Sequence, residues 1–183
     1  DVAIRNNTVI NYSNGINNVS GANLEASNNI LDNTVDFAGI APTTVRFNLV
    51  SDGQHSGSDG NLHDTANFIN KAGFDLHLQS MSIGVAMGDP EDGYELEPAP
   101  NGYRRNMGAY GNTTEAATII DADNDNLPDN WEVAFGLSTS ANSMIGDVDS
   151  DGFWNYHEYH AGTLPNQITS TPTLSGLDTD SDG

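Results

Sequence analysis

The residues most committed to chemistry are carboxylates on a twelve-residue spacing. Asp121, Asp123, Asp125, Asp129 and Glu132 stand at positions 1, 3, 5, 9 and 12 of the window 121–132, and Leu127 offers its main-chain carbonyl from position 7. In the window 147–158, Asp147, Asp149, Asp151, Gly152, the Phe153 carbonyl, Asn155 and Glu158 fill positions 1, 3, 5, 6, 7, 9 and 12. A third start, Asp178, Asp180 and Asp182, stops short of positions 9 and 12.

Alternate side chains of a tight loop turn into one concavity, and a glutamate at position 12 closes the oxygen shell bidentately from the first turn of a helix. That is the spacing of an EF-hand-type calcium loop. Oxygen donors in a large, flexible shell favour Ca²⁺ over Mg²⁺, and the absence of cysteine leaves no thiolate for zinc. Asn126 replaces the usual glycine at position 6 and is the next-best residue for a left-handed turn. Pro128 suits a helix start and Gly136 a helix stop, which places Trp131 and Phe135 on a short helix after the first loop. His157 and His160, at helical spacing, are expected to flank Tyr156 and Tyr159 rather than to bind a transition metal.

The charge divides in the same place. Of 183 residues, 26 are acidic and 5 are Lys or Arg, for a net charge of -21. Before residue 121 there are 14 acids and all 5 bases; from 121 onward there are 12 acids and no Lys or Arg. Such a polyanion attracts cations and gains nothing from phosphates, which argues against a nucleic-acid partner. Trp131, Phe135, Phe153, Trp154, Tyr156 and Tyr159 interrupt the acidic part and call for a core, unlike a disordered tail. No stretch approaches the ~18 apolar residues of a membrane span, and no signal pattern is visible; a start at Asp1 without Met and a stop at Asp182-Gly183 give the expectation of a mature fragment.

What positions the loops is a first part with a strand-and-turn texture. Residues 2–50 are rich in Asn and β-branched residues, with short apolar runs and no long helical stripe. Asn7-Thr8-Val9-Ile10 matches Asn28-Asn29-Ile30-Leu31 at an offset of 21, Phe47-Asn48-Leu49-Val50 follows 19 later, and Gly15-Ile16 returns as Gly39-Ile40 after 24. Repeats of this length fit rungs of a parallel β-solenoid, with Asn6, Asn7, Asn28 and Asn29 at the turns. An antiparallel sandwich explains the strands but not the period. The solenoid register predicts that Val9, Ile30 and Leu49 stack inward together.

Several segments resemble one family. Ile4-Arg5-Asn6-Asn7-Thr8-Val9-Ile10, Gly60-Asn61-Leu62, Ala66-Asn67-Phe68-Ile69, Asp75-Leu76-His77-Leu78 and Gly88-Asp89-Pro90 are similar to the last rungs of right-handed parallel β-helix proteins of the pectate-lyase-like kind. Residues 101–111 resemble the segment with which bacterial members close the helix. Ala66-Asn67 and Met81-Ser82 depart from the family's Asp-Pro and Ser-Pro. Residues 119–183 resemble bacterial thrombospondin type 3-like calcium repeats, carried by 121–132, 147–158 and Gly162-Thr163-Leu164-Pro165, with dockerin-like loop-helix units as the alternative; Leu164 stands where that family commonly has Asp. The resemblance implies a mainly β fold, with a right-handed parallel β-helix over 1–118 and a calcium-binding loop-helix module over 119–183. It also implies a secreted or cell-surface setting.

The implied function is a calcium-stabilised segment of an extracellular structural or adhesive bacterial protein, with like subunits or an extracellular glycan as candidate partners. Alternatives are the non-catalytic tail of a polysaccharide lyase or glycoside hydrolase, and a protein-docking module. A lyase needs a base and a cation beside the sugar's acidic carbon, and a glycosidase needs two spaced carboxyls. None of Arg5, Arg46, Lys71, Arg104 and Arg105 lies in a recognisable catalytic motif. The loop 51–64, with His55, His63 and several Asp, is expected to be a solvated insertion. One of Arg104 and Arg105 is expected to pair with nearby carboxylates.

Overall fold

A computed structural model describes residues 1–21, 23–39 and 41–172. The protein is mainly β, with two short helices. Its first fifty residues form eight strands: β1 (Val2–Arg5), β2 (Thr8–Ile10), β3 (Asn14–Asn18), β4 (Leu24–Ser27), β5 (Ile30–Asp32), β6 (Val35–Gly39), β7 (Thr44–Arg46) and β8 (Leu49–Val50). Each pairs in parallel with the strand three places along the chain, giving sheets β1-β4-β7 and β3-β6; the third sheet, β2-β5-β8, continues into β9 (Leu62–His63).

The register differs from the expected one by a residue. Thr8 pairs with Ile30, Ile30 with Leu49 and Leu49 with Leu62, so Val9 aligns with Leu31 and Val50 instead. Because neighbouring side chains of a strand point to opposite faces, the apolar residues divide into two clusters. Val9, Leu31 and Val50 join Ile16, Leu24, Ala26, Phe37 and Val45, whereas Ile10, Ile30 and Leu49 face Phe68, Leu78, Val85, Met107 and the helical part. The stack of Val9 on Ile30 is therefore corrected. The expected offset of 24 between glycines fails too: Ile16 pairs with Phe37, and Gly39 pairs with Asn18.

Asparagine explains the slip. Asn7 and Asn29 stand in the breaks between strands, as expected, and with Asn48 and Asn61 they form a ladder. The amide N–H of Asn7 donates to Asn29 Oδ1 at 2.9 Å, that of Asn29 to Asn48 Oδ1 at 3.0 Å, and that of Asn48 to Asn61 Oδ1 at 3.0 Å. The residue before each rung of the ladder takes left-handed backbone: Asn6 (φ 53°), Asn28 (φ 56°), Phe47 (φ 51°) and Gly60 (φ 69°). A left-handed residue followed by a ladder Asn is thus the true repeat unit, and Asn28 belongs with Asn6, not Asn7. Asn48 is fully buried, and its Nδ2 also reaches the carbonyls of Ala26 and Arg46 at 2.9 Å. Asn48→Ala is expected to cost about 2–3 kcal/mol in urea unfolding, since it strands several buried groups at once. A cost under half of that would show that the ladder is dispensable.

Where a strand beside β6 would follow β8, side chains stand in. Asp52 Oδ2 accepts the Asp36 N–H and Gln54 Oε1 that of Phe37, while the buried Asp36 carboxylate accepts the N–H groups of Ser51 and Asp52. The segment expected to wind as further parallel rungs is instead an antiparallel hairpin. Its strands β10 (Phe68–Asn70) and β11 (Asp75–Leu78) are joined through a 3-10 turn at Lys71–Gly73.

Helices α1 (Asp129–Phe135) and α2 (Asn155–Ala161) do not stand apart from the strands. Trp131, Tyr159 and Leu127, all fully buried, share one cluster with Ile10, Ile30 and Leu49. Among the described residues no helix is long and apolar enough to cross a membrane.

Candidate metal centre

Both acidic loops fold alike because left-handed residues fall at the same places. Asn124 and Asn126 in the first, and Ser150 and Gly152 in the second, have positive φ at positions 4 and 6. These bends let the position-1 aspartate gather the loop's amides. Asp121 accepts the N–H groups of Asp125 and Asn126 at 3.2 and 3.1 Å; Asp147 accepts those of Ser150 and Gly152 at 2.7 and 3.0 Å. Position 5 repeats the pattern, with Asp125 accepting from Leu127 and Asp151 from Phe153, each at 2.9 Å. Ligand atoms of Asp121, Asp123 and Asp125 lie within 4.8 Å of one another, as do those of Asp147, Asp149 and Asp151.

Each loop runs into its helix through an extended N-cap, Pro128 or Trp154, and each helix stops at a left-handed glycine, Gly136 or Gly162. This carries Glu132 and Glu158 to the first turn, where both are completely buried. Among the described residues no donor reaches either carboxylate oxygen of Glu158, Oε2 of Glu132, either oxygen of Asp123, Oδ2 of Asp149 and Asp151, or Oδ1 of Asn155. Glu132 Oε1 accepts only the Ser143 hydroxyl, at 2.6 Å. Asp129 at position 9 accepts the Ala122 N–H at 2.8 Å.

Burial, and then the surrounding carboxylates, make this arrangement costly for negative charge. The Glu158 carboxyl is pushed up to about 8, first by burial and then by Asp149, Asp151 and Asp147. Glu132 is pushed up to about 7 by burial and by Asp125, Asp123 and Asp129, against the opposing Ser143 hydrogen bond. Buried carboxylate oxygens without donors are rare and expensive. A divalent cation held by oxygen in each loop would answer them, and the donor set is of the kind that suits calcium. The third acidic start, Asp178, Asp180 and Asp182, lies outside the described residues.

Two positions that spacing alone did not single out fix this module in place. Arg104 is buried and donates to the carbonyls of Met87, Gly88 and Tyr159, with its guanidinium 5.2 Å from the Tyr159 ring and 5.9 Å from that of Phe47. The expected carboxylate partner is replaced by carbonyls, one at the C-terminal end of α2 where a cation is favoured. Arg105 likewise bonds to Asn6 Oδ1 and the Gly93 carbonyl. Tyr159 donates to the Gly102 carbonyl at 2.8 Å and approaches that of Ala86 at 3.3 Å. The second position is Ser143, in the segment between the helices; its N–H donates to Asp125 Oδ2 at 2.7 Å. Neither had a legible motif.

Of the other candidates, His157 lies edge-on to Tyr156 and His160 edge-on to Tyr156 and Tyr159, while His157 also stacks on Trp154, a contact that was not expected. In the 51–64 loop, His55 packs edge-on against Phe37 and His63 faces the Ser51 carbonyl, so each ring has a structural neighbour. Comparison of the chain with protein-family models, curated proteins and solved structures finds no match.

Proposed function

We propose that this chain binds calcium at two loops, 121–132 and 147–158, and that calcium consolidates the attached β part in a secreted or cell-surface protein of structural or adhesive kind. The observation that carries the reading is the burial of Glu132 and Glu158 with carboxylate oxygens that no described donor reaches, each beside an aspartate triad. Bound calcium would supply positive charge and open coordination positions. Asp121, Asp123, Asp125 and Glu132 would hold one ion, and Asp147, Asp149, Asp151, Asn155 and Glu158 the other. Position 7 would add the Leu127 and Phe153 carbonyls; Asp129 would act at position 9 of the first loop.

The finer architecture belongs to the same proposal. The sheets β1-β4-β7, β2-β5-β8-β9 and β3-β6, in which strands recur three apart, support a parallel β-helix, as does the asparagine ladder along one corner, and the right hand is the general rule for parallel crossovers.

Glu158→Gln is the direct test. In excess calcium it should lower the affinity of the second loop about 10- to 100-fold, a loss that even outer-shell partners of a metal incur. In chelator the sign reverses: removing one of several crowded carboxylates relieves repulsion, so the variant should melt at a higher temperature than wild type. Calorimetric titration and thermal melts read both halves. Unchanged affinity together with unchanged melting in chelator would sink the calcium reading.

A further inference from the structure

Ser143 faces both loops at once. Its N–H donates to Asp125 Oδ2 at 2.7 Å and its hydroxyl to Glu132 Oε1 at 2.6 Å, so it holds positions 5 and 12 of the first loop. Its carbonyl accepts Asn155 Nδ2 at 2.8 Å and the Gly146 N–H at 2.9 Å. Asn155 is position 9 of the second loop, and Gly146 immediately precedes Asp147, its position 1. The Asn155 N–H returns to the Gly146 carbonyl at 2.7 Å, closing a small ring. Tethering Asn155 by its amide nitrogen fixes the direction of Oδ1, which is buried and receives no hydrogen bond from a described residue.

On the reading that both loops take calcium, we infer that Ser143 is a positioning residue that couples them, so that filling the first loop raises the affinity of the second. Without a cation, Asp125 and Glu132 repel each other and draw apart, and the two donors of Ser143 cannot stay on both. Its carbonyl then loses its place, and Asn155 and Gly146 lose theirs. A cation in the first loop gathers Asp125 and Glu132, seats Ser143, and leaves the second loop organised before its own ion arrives. Linkage makes the effect reciprocal. Gly146 is built into the link: a Cβ there would lie 2.8 Å from Asn155 Nδ2 and 3.1 Å from the Ser143 carbonyl.

The test uses the full chain and calcium chloride, with the second loop followed by NMR at the Gly152 amide, which bonds to Asp147. Disabling the first loop through Glu132→Gln should weaken calcium at the second by about fivefold or more, the lower range of allosteric coupling. In Ser143→Ala and in Gly146→Ala the same comparison should give a ratio near one, while Ser143→Thr, which keeps the hydroxyl, should retain the coupling. A ratio near one in the wild-type background overturns the inference, and so does undiminished coupling in Gly146→Ala. Gly146→Ala decides the matter if Ser143→Ala does not fold, because it alters no ligand. If wild type takes up no calcium at either loop, the parent reading fails; if both loops fill independently, only the coupling does.

Discussion

Chelating calcium is expected to abolish hydrogen-exchange protection across 121–164 and to weaken it at Ala86, Gly88 and Met107, while the amides of β4, β5, β7 and β8 stay protected. The loop part follows from charge: with no ion between them, ligand atoms of Asp121, Asp123 and Asp125 lie within 4.8 Å of one another, as do those of Asp147, Asp149 and Asp151, and the fully buried Glu132 and Glu158 feel the charge of Asp123 and Asp125 and of Asp147, Asp149 and Asp151. The loops relieve this by opening, and α1 and α2 are too short to persist alone. The spread beyond them follows from packing. Trp131 and Tyr159 lie in the same cluster as Val85, Ala86 and Met107, and Asn130 Nδ2 donates to the carbonyls of Ser82 and Val85. Each site, at free calcium of about 100 times its own dissociation constant, adds roughly 2.7 kcal/mol. Exchange after residue 119 that ignored calcium would remove the central claim.

The second large effect concerns Tyr159, the residue that joins α2 to the strands. Tyr159→Ala should cost about 4 kcal/mol in urea unfolding at saturating calcium, because a fully buried ring is lost and the Arg104 guanidinium loses one of its two aromatic faces. Tyr159→Phe keeps the ring and forfeits only the hydrogen bond to the Gly102 carbonyl, so about 1–2 kcal/mol is expected. The ratio between the variants distinguishes packing from hydrogen bonding. Equal losses would mean that the hydroxyl, not the ring, ties the two parts together.

The loops were readable from sequence because their chemistry is local: an aspartate every second residue followed by a glutamate fixes which atoms can converge, whatever surrounds them. The helix stops at Gly136 and Gly162 are local in the same way. The parallel register was nearly readable and missed by one residue, since Asn28 and Asn29 are the same type in different conformations and composition cannot tell which is left-handed. Phe47 shows why a search for asparagine alone falls short, for an aromatic residue takes the same left-handed place between Asn28 and Gly60. The partners of Arg104 were misjudged as carboxylates and Ser143 was silent, because main-chain carbonyls and distant carboxylates are brought to them only by the tertiary fold. The separate reading of 1–118 and 119–183 reflected charge, whereas the shared cluster around Trp131 and Tyr159 depends on which face of β5 and β8 is left for covering.

The interval between paired positions shrinks along the chain, from 22 residues between Thr8 and Ile30, to 19 between Ile30 and Leu49, to 13 between Leu49 and Leu62. In the shortest interval no strand forms beside β6, and Asp52 and Gln54 answer the amides of Asp36 and Phe37 with side chains instead. Main-chain donors already taken by side chains are closed to a further strand, so this margin of the β3-β6 sheet is capped against edge-to-edge association.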